Sequence, residues 1–421
     1  MIDLLICNAG QLCTIPTHDS GPQRGHALGD LGIIPNGAVA IHDGQILTVG
    51  ASDDLQANYD AATVIDAQGC LVTPGLIDPH THAIWGGNRA DEFERRIAGT
   101  TYQQIMAEGG GIRATMRATR EADLTTLIEA AKPRLLSMMQ NGATTIEVKT
   151  GYGLETRAEL NMLNAIAVLD TELPIDLVPT FLGAHAIPPE YDGRADAYVD
   201  LIVQEMIPAV ATWKTDHWPG PLFCDVFCET GAFSLEQTHR IFEAALAAGF
   251  DLKIHSDEFD ALGGTRLAVE MGAVSADHLV ATTPEEIDLL GHSNTIAVSM
   301  PPTPFGLGHH HYTSAQAMLD AGVALAIATD CNPGTAWCES MQMVFALATR
   351  YLRLTQGQAL ASATVNAAFA INYGGQRGTL APEAIGDVVI WQVDDYRQLG
   401  YRFGSNLVQQ VIKRGQVIWT A

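Results

Sequence analysis

The rhythm of apolar and polar positions changes twice along the chain. Over the first seventy residues, short apolar runs alternate with turn residues. Residues 36–41 and 45–50 flank His42-Asp43-Gly44, and Asp-Gly between two apolar runs predicts a β-hairpin. The C-terminus repeats the pattern. Residues 387–391 read as a strand, and 408–412 and 416–419 form a second hairpin around Lys413-Arg414-Gly415. Two β-rich ends around a different middle predict one small β-sandwich domain formed by both termini, over residues 1–70 and 375–421.

Between them, residues 71–374 alternate buried-type strands with amphipathic helices. Leu124, Leu127, Ile128, Ala131, Leu135 and Met138 follow helical spacing, and Asn141-Gly142 stops that helix before a strand at 143–148. Ser234 and Gln237 predict a capping box. Thr283-Pro284 starts another helix, with Pro at its first position, and Gly291 ends it. Gly272 and Gly322 fall where a helix must turn back into a strand, a place for positive φ. Strands are expected near 71–78, 143–149, 175–183, 222–229, 251–257, 273–278, 295–300 and 323–330. Eight strands interleaved with helices predict a (β/α)8 TIM barrel. A doubly wound sheet would call for a phosphate-binding turn after its first strand. Gly109-Gly110-Gly111 lies too far downstream for that and is read as a βα loop.

Composition narrows the function. The 421 residues hold 23 Lys and Arg against 48 Asp and Glu, a formal charge of −25. That excess excludes the clustered cations that bind nucleic acid or anionic lipid. The 47% hydrophobic content supplies a large core. Seven scattered cysteines with no C-x-x-C pair predict a reducing, cytoplasmic setting. The start shows no signal-peptide pattern, and no run reaches the roughly 18 apolar residues of a membrane span.

Candidate chemistry sits at the strand ends. Asp78-Pro79-His80-Thr81-His82 closes the first barrel strand, and residues i and i+2 of a strand share a face, so His80 and His82 can present two imidazoles to one point. His255 ends the fifth strand and Asp330 the eighth. The C-terminal strand ends of a barrel face one mouth, so these four would make an N₃O set for one zinc-like ion. Such an ion lowers the pKa of a bound water to about 7.

The run Pro74-Gly75-Leu76-Ile77-Asp78-Pro79-His80-Thr81-His82, with the flanked barrel and Thr329-Asp330, resembles the amidohydrolase superfamily. Longer motifs around Gly86–Arg89, Gly109–Ile112, Glu147–Leu154, Gly183–Tyr191, His255–Glu258, Ser275–Leu279 and Thr329–Thr335 resemble the imidazolonepropionases within it. The resemblance runs from about residue 30 to the C-terminus. It implies hydrolytic ring opening of 4-imidazolone-5-propanoate to N-formimidoyl-L-glutamate, in histidine degradation, with one zinc or iron ion per chain. His80, His82, His255 and Asp330 match the metal ligands. Arg89, Tyr152, His185, Glu258, Asn332, Gly334 and Thr335 match substrate-holding positions, and His278 matches a catalytic histidine.

The chemistry of these side chains suits that reaction. A planar Arg fork grips a carboxylate tail, and Arg89 follows the His pair closely. A metal-bound hydroxide is expected to attack the ring carbonyl. Asp330 would move the water proton to the leaving nitrogen, His278 or His185 would donate to the carbonyl oxygen, and Glu258 would bond the ring N–H. Lys149 ends the second strand rather than the fourth, where a carboxylated lysine bridges two metals in some relatives, so one metal is expected. His309-His310-His311 departs from the family pattern and is read as a loop variation. The rival readings are a cytosine- or guanine-type deaminase and a catalytically silent scaffold barrel. The expected partner is a small anionic substrate, and a homodimer is compatible with the sequence. Because protein and substrate are both anionic, capture falls to the metal and Arg89, with Arg113 and Arg117 near the Gly-rich loop as further candidates.

Overall fold

The computed structural model describes residues 1–100, 104–105 and 108–421. Five strands open the chain: β1 (Ile2–Cys13), β2 (Ile33–His42), β3 (Gln45–Ala51), β4 (Ala61–Asp66) and β5 (Leu71–Pro74). Eight follow in the middle: β6 (Leu76–Asp78), β7 (Ala143–Lys149), β8 (Asp176–Ala184), β9 (Phe223–Cys228), β10 (Asp251–Ser256), β11 (Ser275–His278), β12 (Ile296–Ser299) and β13 (Leu325–Ile327). Three end it: β14 (Val388–Trp391), β15 (Val408–Lys413) and β16 (Gln416–Thr420).

The middle strands pair in parallel in the order β6 to β13, with helices in the connections. Strands covered on both faces read as continuous apolar runs, and nearly all of these positions are buried. β6 and β13 share no ladder. Between them Asp78 accepts the backbone N–H of Thr329 at 3.1 Å and its hydroxyl at 2.5 Å. Just beyond, Asp330 N–H donates to the His80 carbonyl at 3.1 Å and His82 N–H to the Cys331 carbonyl at 3.0 Å. These bonds complete an eight-stranded barrel. The expected helix starts are present: Ser234 accepts from Gln237 N–H and Thr283 from Glu286 N–H, each in a reciprocal capping box. Gly272 and Gly322 have φ of 70° and 78°.

One expected element is divided. The run 71–78 is two strands broken at Gly75, with β5 in the terminal sheet and β6 in the barrel. A Cβ at Gly75 would stand 2.2 Å from Thr144 Oγ1, so only glycine lets the chain cross there.

The two termini build one hydrogen-bonded sheet, ordered β16-β15-β14-β5-β1-β2-β3 with β4 also on β1. In place of two separate sheets, the termini therefore share one continuous sheet. β1 pairs β4 with its first half and β5 with its second, with a shift between Ile6 and Ala9 where Asn8 has φ 56°. Leu4, Ile6, Val39 and Ile41 share a core with Val388, Ile390 and Ile412. Lys413 bonds this sheet to the barrel. Its ammonium donates to Asp387 at 2.7 Å, to Asp176 at the start of β8 at 2.6 Å, and to the Thr144 carbonyl at 2.9 Å. The attachment lies at the N-terminal end of β8 and leaves the opposite mouth free. Among the described residues, no helix is long and apolar enough to cross a membrane.

Candidate metal centre

The four expected ligands converge at the C-terminal mouth. Asp330 Oδ1 lies 3.6 Å from His80 Nε2 and 3.5 Å from His82 Nε2. His255 Nε2 is 3.3 Å from His82 Nε2. All four residues are buried. His80 Nε2 and Asp330 Oδ1 have no hydrogen-bond partner, though buried polar atoms nearly always find one. Lone pairs from nitrogen and oxygen facing one small space fit a borderline divalent cation. His278 adds a second grouping, because His80, His255 and His278 also bring ligand atoms within 4.8 Å of one another.

The tautomers follow from the partners behind the rings. His80 Nδ1–H donates to Asp277 Oδ2 at 2.6 Å, and His255 Nδ1–H to Asp225 Oδ1 at 3.0 Å. A carboxylate accepts, so each Nε2 is left as a lone pair toward the site. Thr303 Oγ1–H donates to Asp330 Oδ2 at 2.5 Å, which turns Oδ1 toward the histidines. Burial holds the His80 and His82 imidazoles well below their ordinary range, reinforced by Lys149 and neighbouring imidazoles. Burial also raises the Asp330 carboxyl to about 6, against the Thr303 bond.

The remaining predicted residues surround this centre unevenly. His185 stacks on His82 with ring centroids 4.9 Å apart, and its Nδ1 bonds the Gly151 carbonyl at 3.0 Å. Tyr152 is buried 5.2 Å from the His185 ring. Burial lowers His185 to about 3 and holds His278 well below the imidazole range, so both rings are neutral. Glu258 Oε2 lies 3.7 Å from His278 Nε2. Burial, then Asp330 and Glu229, pushes its carboxyl well above the ordinary range.

Arg89 Nε–H donates to Glu92 at 2.8 Å, and its guanidinium lies where a Gly334 side chain would be: a Cβ there would stand 2.5 Å from Nη1. Asn332 is committed to its own loop. Its amide donates to the Asp330 carbonyl at 2.7 Å and Thr335 Oγ1 at 2.9 Å, and its Oδ1 accepts the N–H groups of Gly334 and Thr335 at 2.8 Å. Asn332 and Thr335 therefore shape the ledge under Arg89. Arg113 donates to Asp192, and Arg117 to the Gly109 carbonyl. His309, His310 and His311 are exposed, and His309 faces the Phe259 ring at 6.2 Å.

Sequence reasoning passed over Asp225, Asp277 and Thr303. The carboxylates had a signal, a lone acid in an apolar strand such as Phe223-Cys224-Asp225-Val226-Phe227-Cys228. Thr303 had none.

The family model for the amidohydrolase family matches residues 63–120 and 106–419. The imidazolonepropionase of Herpetosiphon aurantiacus is 51% identical over 418 residues, covering 99% of this chain and 97% of that protein. The imidazolonepropionase of Chloroflexus aggregans is 50% identical over 422 residues, covering 99% of each. A solved adenosine deaminase from Xanthomonas campestris with bound zinc shares the fold, with a TM-score of 0.70 at 18% identity over 100% of this chain and 93% of the other. At that identity the deaminase speaks for the architecture alone. The near-complete match to the first two relatives decides the membership: this chain belongs to the imidazolonepropionase family of the amidohydrolases.

Proposed function

We propose that this chain opens the ring of 4-imidazolone-5-propanoate with water to give N-formimidoyl-L-glutamate, the hydrolytic step of histidine degradation. The observation that carries the reading is identity of 50% and 51% across nearly the full length of two relatives named for that activity. One zinc or iron ion, held by His80, His82, His255 and Asp330, would supply Lewis-acid charge and a water acidified to a pKa of about 7.

The chain's own groups do the rest. Arg89, seated on the Gly334 ledge, holds the substrate carboxylate, and Tyr152 offers a hydroxyl donor beside His185. Water adds its oxygen to the carbonyl carbon and the ring C–N bond breaks. Asp330 is ionised at neutral pH, takes the proton from water and returns it to the departing nitrogen. His278 or His185, each a neutral imidazole, donates N–H to the carbonyl oxygen as charge develops. The Glu258 carboxyl bonds the ring nitrogen side. A single ion is favoured because β9 contributes no lysine and the Lys149 ammonium is engaged by buried carboxylates.

The test is loss of imidazolone absorbance with purified, metal-assayed protein. Turnover with wild type and a large loss with Asp330→Asn is the expected result. No turnover at full metal occupancy would move the reading to a deaminase of the same fold, and two metal equivalents per chain would overturn the single ion.

A further inference from the structure

Beneath the histidine cluster lies a buried set of charges that the proposed reaction does not use. Glu147 and Lys149 stand on β7, Asp225 on β9, Lys253 on β10 and Asp277 on β11, all at 0% exposure. Lys149 Nζ donates to Glu147 Oε1 at 2.7 Å and to Asp225 Oδ2 at 2.9 Å, and lies 3.9 Å from Asp277 Oδ2. Asp225 is the acceptor for His255, and Asp277 the acceptor for His80. One ammonium thus stands between the two carboxylates that orient two of the ligands. Lys253 shares only the Asp277 side: its ammonium lies 3.8 Å from Asp277 Oδ2, as near as Lys149, and donates otherwise to the carbonyls of Pro79 and Ala370, while Asp225 is bonded by Lys149.

A buried carboxylate without a counter-charge is costly, and removing one partner of a buried pair leaves the other exposed to that cost. Groups behind a metal-ligating histidine fix its ring and its tautomer. Lys149 stands one step further back, where it serves both rings at once.

We propose that Lys149 is a positioning residue of the metal site: through Asp225 and Asp277 it fixes His255 and His80, and so sets how tightly the site holds its ion. The proposal rests on the reading that the cluster binds a divalent cation. It gives the lysine a role different from the bridging carboxylated lysine of two-metal barrels, since here the ammonium itself acts, as a donor.

The test is zinc titration of the metal-free full-length protein against a chromophoric chelator at neutral pH. Lys149→Gln should bind zinc about 10–100-fold more weakly than wild type, the usual size of a loss behind a metal ligand. Asp225→Asn should weaken binding similarly, and the double variant should lose less than the sum of the two single losses, because both changes cut the Asp225 branch and only Lys149→Gln also cuts the Asp277 branch. Lys413→Met removes another buried lysine, far from the histidines, and should leave zinc affinity unchanged even where it lowers stability. Wild-type affinity in Lys149→Gln, or additive losses in the double variant, would overturn the proposal. Should Lys149→Gln fail to fold, Asp225→Asn alone still decides: wild-type affinity and an unshifted His255 Nδ1–H resonance there would break the chain of contacts. Absence of zinc uptake by the wild type would instead remove the metal reading, before any variant is made.

Discussion

In mild acid, metal uptake should release the proton held by Asp330. In the metal-free protein, burial raises this carboxyl to about 6. Burial acts in the opposite direction on His80 and His82, holding both imidazoles well below their ordinary range. Metal binds the carboxylate and the neutral imidazole, so among these three ligands only Asp330 must give up a proton. At pH 7 about nine-tenths of Asp330 is already ionised, and at pH 5 about one-tenth. Affinity should therefore fall about tenfold between them, about 1.4 kcal/mol, and level off above pH 7. Chelator competition, corrected for the chelator's own protonation, gives the slope. Calorimetry in buffers of different ionisation enthalpy counts the protons directly. Asp330→Asn should bind more weakly throughout, with no slope over this window. A hundredfold fall between pH 7 and pH 5 would show that an imidazole titrates as well, and a slope that survives in Asp330→Asn would refute the assignment.

Thr303→Val removes the donor that aims Asp330, a bond to a charged group worth about 1.5–3 kcal/mol, so the melting temperature should fall by a few degrees and kcat/KM should drop roughly 10-fold or more; unchanged kinetics would refute that role. Gly334→Ala places a Cβ 2.5 Å from the Arg89 guanidinium, so KM should rise and kcat stay near wild type, and steady-state kinetics separates the two. Gly75→Ala forces overlap with Thr144 where the chain passes from sheet to barrel, so denaturant unfolding should show a loss of about 1–3 kcal/mol. With a formal charge of −25 and an anionic substrate, added salt should raise or leave unchanged kcat/KM, whereas a steep fall would show that the local field at Arg89 dominates.

The barrel and the convergence of His80, His82, His255 and Asp330 were legible because each signal is local. Pro79-His80-Thr81-His82 follows an apolar strand, and His255 and Asp330 each close another, so strand counting alone brings them to one mouth. The partners behind them were not legible, because they depend on which strands face each other across the interior. Asp277 meets His80 across 197 residues of chain, and nothing near either residue in sequence announces the contact. The break at Gly75 was hidden for another reason. Leu71-Val72-Thr73-Pro74 and Leu76-Ile77 are equally apolar, since both strands are buried, so composition runs unbroken while the hydrogen bonds change sheets. Asn332 lay between these cases. Its loop suggested contact with substrate, yet the amide is occupied by the turn that supports Arg89.

The backbone at the mouth bears the cost of this arrangement. Asp257 follows β10 with φ 55°, His278 ends β11 with φ 80° and Leu279 follows it with φ 59°, and Asp330 lies beyond β13 with φ 50°. Left-handed backbone at a non-glycine residue costs of order 1–3 kcal/mol and persists only where the surroundings over-determine it. Here they do. Asp330 N–H is bonded to the His80 carbonyl, Leu279 N–H to the Ser256 carbonyl, and the Asp257 side chain receives the hydroxyls of Thr265 and Thr282. At His278 and Asp330 the strain falls where a strand stops and a side chain enters the shared space, whereas Asp257 turns to Thr265 and Thr282. Glycine would relieve the backbone at His278 and Asp330 but would remove the imidazole and the carboxylate the site needs. The mouth therefore keeps Asp and His in conformations they disfavour, and the packed barrel beneath offsets the cost.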